Sequence, residues 1–259
     1  MLDFNQIKKQ YPEELQSYER AILREYLQCK ILQGLFESNQ ANKFSFLGGT
    51  ALRIFYDNQR FSEDIDLDNF DLNWDEFDAV VRDVERFLSL EGFEVELRKI
   101  KREAYHLILR FPKLLYQHGL SPLRDEKILI QVDTSAQGYK YQPDIKILNK
   151  FDVFSEIRVT PLSLLLSQKI FTAINRKRPK GRDFYDITFL FTRTKPDFNF
   201  LQERMAVSTK EQLRGLVLEK ISDYDFEDLA RDVAPFLING KEIDRVKLFV
   251  KFWKQVDLN

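Results

Sequence analysis

Residues 46–67 read Phe46-Leu47-Gly48-Gly49-Thr50-Ala51-Leu52-Arg53-Ile54-Phe55-Tyr56-Asp57-Asn58-Gln59-Arg60-Phe61-Ser62-Glu63-Asp64-Ile65-Asp66-Leu67, and this stretch decides the fold. It opens at the end of a short apolar run, Phe44 to Leu47, whose composition predicts a strand halted by the paired glycines. Thr50 to Tyr56 predicts a helix. From Asp64 to Asp68 acids alternate with Ile65 and Leu67, the period of a half-buried strand. Side chains two apart on a strand share a face, so Asp64 and Asp66 project together while Ile65 and Leu67 enter the core. Two carboxylates held that close repel unless a cation lies between them or one takes a proton. The glycine turn exposes backbone N–H groups at the positive end of a helix, a cradle for phosphate. Thr50 either caps that helix or bonds a phosphate oxygen.

A third acid ends the apolar run Ile128-Leu129-Ile130-Gln131-Val132-Asp133. Burying a lone carboxylate at a strand end is costly unless something neutralises it. If this strand lies beside the first, Asp133 completes a triad with Asp64 and Asp66 that can hold Mg²⁺ or Mn²⁺; the alternative is an ordinary strand-end turn residue. Further strands are predicted at 93–100, 104–111 and 153–159, and helices at 13–38 and 75–90. From Pro161 the pattern turns helical, with predicted helices at 161–176, 182–193, 208–220, 223–237 and 241–256. The expected organisation is a mixed α/β domain over 1–157 and a helical domain over 158–259.

Within the first of those later helices Leu162, Leu165, Leu166, Lys169 and Ala173 fall on one stripe. Lys169 is a cation on an apolar face, so it either snorkels to the rim or reaches an anion, for which phosphate is the natural candidate. Downstream, Arg176-Lys177-Arg178-Pro179-Lys180-Gly181-Arg182-Asp183 joins five basic residues to an acid that opens a helix. Asp183 is a candidate N-cap or a candidate catalytic acid, and the basic loop a solvated turn or a seat for RNA phosphates.

Bulk properties narrow the chemistry. Net charge is −1 and the two histidines and one cysteine cannot build a Cys/His zinc site or a three-histidine one. There is no Gly-x-Ser-x-Gly elbow and no phosphate loop of the Gly-x4-Gly-Lys-Ser/Thr type. Any metal is therefore expected to be a hard cation held by carboxylates. Cys29 reads as a buried thiol in a reducing compartment. No apolar run approaches the roughly 20 residues of a membrane span, and the N-terminus lacks the apolar core of a signal peptide, so a cytoplasmic location is expected.

Phe46-Leu47-Gly48-Gly49-Thr50-Ala51-Leu52-Arg53 followed by Arg60-Phe61-Ser62-Glu63-Asp64-Ile65-Asp66-Leu67 resembles the opening motif of the polymerase-β-like nucleotidyltransferases, with Gly49-Thr50 where the usual motif has Gly-Ser. More narrowly it resembles the AbiEii/AbiGii toxin family, whose later motifs are similar to Ser167-Gln168-Lys169 and to Lys180-Gly181-Arg182-Asp183-Phe184-Tyr185-Asp186-Ile187. The resemblance implies an α+β fold, a nucleotidyltransferase core with a mixed sheet followed by a mainly helical part. It implies transfer of a nucleoside monophosphate from an NTP to a hydroxyl, with RNA, in particular the 3′ end of tRNA, as acceptor, and an antitoxin as partner. By that resemblance Asp64, Asp66, Asp133, Lys169 and Asp183 are catalytic. Gly48, Gly49, Thr50, Arg53, Ser62 and Lys169 hold the nucleotide, and Arg176, Lys177, Arg178, Lys180 and Arg182 meet RNA. The rival readings are a nucleotidyltransferase acting on a small molecule or a protein hydroxyl, and an NTP-binding module without turnover.

Overall fold

The computed structural model describes residues 2–258. The chain divides into two units: one runs to Asp57 and resumes over Phe61–Val159, the other takes Asn58–Arg60 and everything from Thr160. The first unit holds helices α1 (Phe4–Lys8) and α2 (Glu19–Phe36), strand β1 (Phe44–Leu47), helix α3 (Gly48–Tyr56), strand β2 (Ile65–Asn69), helix α4 (Trp74–Leu90), strands β3 (Glu96–Lys101) and β4 (Tyr105–Phe111), the short helix α5 (Leu114–Gln117), and strands β5 (Ile128–Ser135), β6 (Asp144–Lys150) and β7 (Val153–Val159). The second holds helices α6 (Leu162–Asn175), α7 (Gly181–Leu190), α8 (Phe198–Met205), α9 (Lys210–Lys220), α10 (Phe226–Val233), α11 (Asp244–Lys247) and α12 (Phe249–Gln255).

The strands form one sheet in the order β3-β4-β5-β2-β1-β7-β6. It is mixed: β1 runs parallel to β7 and β2 parallel to β5, while the remaining neighbours are antiparallel. Alternation gives the sheet two unlike faces. Phe44, Phe46, Ile65, Leu67, Leu107, Leu109, Ile130, Val132 and Ile157 are buried on one. Leu47, Asp66, Asp133 and His106 are register partners across β1, β2, β5 and β4, and so share the other.

Helix α2 is buried along most of its length because it lies in the core of the unit, contacting α4, β5 and β7. Its two buried charged side chains are both paired. Glu25 meets Arg53 at 2.9 Å and also Lys150, and Lys30 lies 2.8 Å from Glu91 and 3.0 Å from Asp152. Burial pushes the Glu25 carboxyl up, but Lys150 and Arg53 overcome this and hold it below the usual range. Cys29, on the same helix, is fully buried, which pushes its thiol up.

Several boundaries move for local reasons. The first long helix begins at Glu19 because Pro12 leads into a separate 3-10 turn at Glu13–Leu15. Strand β6 was not expected: its outward Ile145 and Ile147 are exposed at the sheet edge, so apolar spacing does not mark a buried face. The helix expected over 223–237 stops at Val233 in a 3-10 turn containing Pro235, whose nitrogen cannot donate. The expected 241–256 helix divides into a 3-10 turn, α11 and α12. Helices α1, α5 and α8 lay outside any expectation. In the helical unit Gly181 is required by packing, since a Cβ there would fall 1.8 Å from the Leu229 carbonyl oxygen of α10.

Candidate active site

The sheet unit assembles its acids by register. Asp66 on β2 is the Cα partner of Asp133 on β5, so two carboxylates stand side by side on the open face. The expectation that the Asp133 strand runs beside the Asp66 strand holds. Asp133 takes both of its hydrogen bonds on one oxygen. His106 Nδ1 lies 2.6 Å from Oδ1, and Gln131 Nε2 donates to the same atom at 2.8 Å. Against an ionised carboxylate, the Nδ1–H of His106 is the donor. Among the described residues Oδ2 of Asp133 accepts no hydrogen bond.

The glycine turn closes on the neighbouring acid. Gly48 has φ +83°, and a Cβ built there would lie 2.3 Å from Oδ2 of Asp66. Only glycine meets both conditions, the left-handed backbone and the close approach. Leu47 holds the N-cap position of α3 without a side-chain cap, so the first N–H groups of Gly48, Gly49 and Thr50 have no cap from that residue. Thr50 is not the N-cap of α3, a position that Leu47 takes. It is fully buried, and its hydroxyl donates to the backbone carbonyl of Asp64. It ties the helix to the acidic strand.

Helix α2 supplies supports that sequence reasoning missed. Gln28 donates its amide to the Ser62 and Glu63 carbonyls at 3.1 and 2.9 Å, and Arg24 pairs with Glu63 at 3.1 Å. The segment carrying Ser62 and leading to Asp64 is thereby held against a core helix. Arg53 faces inward: its Nε bonds Glu25 and its guanidinium lies 5.0 Å from the centre of the Phe61 ring. Polar residues on a mostly buried helix are the signal that could have found Glu25 and Gln28 (such groups are kept where they bind something).

Whether these residues suit a divalent cation can be asked of the donor set. Among the described residues no three His, Cys, Asp or Glu side chains form a ready-made cation cluster. Mg²⁺ does not need one, because it keeps several waters and commonly takes one or two carboxylates plus substrate phosphates. Asp66 and Asp133, with the open Oδ2 of Asp133, fit that demand.

In the helical unit Lys169 and Asp183 come together, with others. Lys169 Nζ lies 3.2 Å from Asp183 and 3.0 Å from Asp186, while Arg176 bonds Asp183 at 2.9 Å. The anion that Lys169 reaches is thus a pair of carboxylates from α7. Asp186 is fully buried and also takes two hydrogen bonds from Arg60, at 2.8 and 2.7 Å, and one from Asn58 at 3.0 Å. Burial pushes Asp186 up, yet Arg60 and Lys169 hold it well below the usual carboxylate range. Burial likewise pulls Lys169 down, and Asp186 and Asp183 raise it above its ordinary value. Asp183 is not an N-cap; Lys180 occupies that position and Asp183 lies inside the first turn of α7. Of the basic loop, Arg176 is paired with Asp183 and Lys180 with Asp232 at 3.5 Å, and Lys177 and Arg178 are exposed.

A mixed sheet with a Gly-Gly turn packed onto register-paired aspartates is the arrangement of a nucleotidyltransferase. The model of the nucleotidyl transferase AbiEii toxin family, a type IV toxin–antitoxin system, matches residues 30–246. The chain belongs to this family and is a nucleotidyltransferase. Its fold is similar to that of JHP933 from Helicobacter pylori, with a TM-score of 0.57, 15% identity and 92% of each chain covered. It is also similar to a second H. pylori chain provisionally described as a nucleotidyltransferase, with a TM-score of 0.54, 16% identity and 93% and 99% of the two chains covered. No curated protein matches the sequence significantly. Family chemistry uses an NTP and a divalent metal, and the family pairs such toxins with an antitoxin. Among the described residues no helix is long and apolar enough to cross a membrane.

Proposed function

We propose that the chain moves a nucleoside monophosphate from an NTP to the 3′ hydroxyl of RNA, tRNA being the favoured acceptor, as a growth-inhibiting cytoplasmic toxin restrained by an antitoxin. The observation that carries the reading is the Asp66–Asp133 register pair beside the Gly48 turn, with one oxygen of Asp133 left open. Asp66 and Asp133, with Asp64 one residue ahead of β2, would hold Mg²⁺ or Mn²⁺. Bound there, the ion would neutralise phosphate charge and lower the pKa of the attacking hydroxyl.

The chain's own groups do the rest by position and charge, which is what phosphoryl transfer mainly demands. Gly48 and Gly49 offer backbone N–H groups to the triphosphate, and Ser62, fixed through its carbonyl by Gln28, stands ready as a further donor. Arg53 and Thr50 brace the turn from behind. Lys169 and Asp183 act from their cluster, where Arg60, Lys169 and Arg176 face Asp183 and Asp186 and leave positive charge in excess for an approaching phosphate. Lys177, Arg178 and Arg182, with Arg176 and Lys180, present a basic loop to RNA phosphates.

The test is incubation with each labelled NTP, Mg²⁺ and total RNA. Label should enter RNA with the wild type and not with Asp64→Ala/Asp66→Ala. Equal labelling by both proteins overturns the assignment of the acids. Label in a low-mass product or a protein band overturns the acceptor.

A further inference from the structure

We infer that the open face of β3 and β4 is a second RNA-binding surface, on which Arg98 and Arg110 hold backbone phosphates of the acceptor strand close to Asp133. The inference rests on the nucleotidyltransferase reading of the Asp66–Asp133 site and names where its acceptor lies. The register sets the geometry. Ile100, His106, Asp133 and Asp66 form one cross-strand row, Arg98, Ile108 and Gln131 the next on the same face, and Glu96, Arg110 and Leu129 the one after. Strands are about 4.8 Å apart, so β3 is roughly 10 Å from β5, and Arg110 lies about 13 Å along β4 from His106. Both arginines are within reach of the last few nucleotides of a strand whose end is at Asp133.

Their chemistry differs from that of the other cations on these strands. On the opposite side of β3, Lys99 pairs with Asp78, and the Lys101 ammonium lies 5.6 Å from the centre of the Trp74 ring. Among the described residues Arg98 and Arg110 have no ion-pair or hydrogen-bond partner on their guanidinium groups. Glu96, the cross-strand neighbour of Arg110, gives both oxygens to Lys127 at 2.6 and 2.8 Å. Two unpaired guanidiniums on one face, each able to bind phosphate bidentately, complement a phosphodiester chain. Leu129, 42% exposed, and the half-buried Ile108 give apolar surface for sugar or base between the charged groups. A chain of net charge −1 would bind RNA through such local patches rather than through a basic coat.

The test uses the full chain and a short fluorescein-labelled single-stranded RNA with a free 3′ hydroxyl, followed by anisotropy from about 50 to 200 mM salt. Arg98→Gln/Arg110→Gln should bind roughly tenfold more weakly. Its plot of log affinity against log salt should be shallower by about 1.4, the loss of two single-strand phosphate contacts. The charge-matched control Lys251→Gln/Lys254→Gln should retain wild-type affinity and slope, and all three proteins should bind NTP with Mn²⁺ equally. An unchanged affinity and slope in the arginine variant overturns the inference, including the case in which it loses a protein partner instead. The assay needs no turnover, so it stands apart from the labelling test: retained transfer by Asp64→Ala/Asp66→Ala would defeat the catalytic reading whatever the RNA affinities show.

Discussion

The sheet face around Asp66 and Asp133 and the cluster around Asp186 draw on similar side chains, paired aspartates with nearby cationic or ring-nitrogen donors, but they satisfy them differently. Asp133 is partly exposed, spends both hydrogen bonds on one oxygen and keeps the other open. Asp186 is wholly buried, and its oxygens are shared among Arg60, Asn58 and Lys169. A carboxylate whose lone pairs are consumed by the protein stabilises a fold, whereas one with lone pairs to spare can hold something from outside. Spacing in the sequence does not separate these cases, and hydrogen-bond inventory does.

The largest effect expected from that contrast is a crossing of readouts. Asp66→Asn and Asp133→Asn should each lower nucleotidyl transfer by roughly 10³- to 10⁴-fold, about 4 to 5.5 kcal/mol. Their urea unfolding midpoints should stay close to wild type, because removing one of two neighbouring charges relieves repulsion. Asp186→Asn should do the opposite, costing about 3 to 5 kcal/mol of stability by leaving buried Arg60 and Lys169 undercompensated. A wild-type urea midpoint in Asp186→Asn would break the comparison.

pH sharpens it. Asp186 has a folded pKa below its unfolded one, so its contribution is complete above about pH 4 and is lost as pH falls through the folded value. Lys169 has a folded pKa above its unfolded one, so its contribution is complete below about pH 10 and is lost as pH rises through the folded value. Urea midpoints measured across pH should therefore form a plateau with an acid limb, and Asp186→Asn should flatten that limb. An acid limb of full size in the variant would assign it to other carboxylates.

The sheet's acids were legible because β-structure has a period of two: Ile65 and Leu67 going in forces Asp66 out, and the apolar run before Asp133 does the same on its strand. The glycine turn was legible because few residues interrupt a strand so sharply. The partners of those residues were not. His106 is opposite Asp133 only through the β4–β5 register, which no local pattern states. Gln28 and Glu25 lie far from the residues they hold, on a helix whose apolar spacing concealed that most of its length is buried. Lys169 was read as a cation that snorkels to the rim or reaches an anion; it reaches Asp183 together with Asp186, and Arg60 joins them from within the very motif that opened the reading.

Gly48→Ala tests the turn at intermediate size. The new Cβ would meet Oδ2 of Asp66 at 2.3 Å on a backbone with φ +83°, so the carboxylate or the turn must shift. About 1 to 3 kcal/mol of stability should go, from strain alone. Transfer should fall more than stability accounts for, because the displaced group is itself a proposed metal ligand. Wild-type transfer per folded molecule in this variant would remove Asp66 from the chemistry.

Thr50 gives the smallest effect and distinguishes scaffold from contact on the sheet side. Its hydroxyl is buried and donates to the Asp64 carbonyl, so it cannot also donate to a phosphate without breaking that bond. Thr50→Val removes the donor, leaves the shape and strands a buried carbonyl, at a cost of about 1 to 2 kcal/mol. Thr50→Ser keeps the donor and loses only a methyl group, which costs about 1 kcal/mol by the transfer of one carbon. If Thr50 acts as a brace, the KM for NTP should be the same in Val and Ser variants and the difference should lie in unfolding midpoint. If instead the hydroxyl bonds the triphosphate, Thr50→Val alone should raise that KM. The sequence admitted capping or phosphate binding for this residue; the bond to Asp64 makes it the fastening between the phosphate turn and the acidic strand, the two pieces that a nucleotidyltransferase has to keep in register.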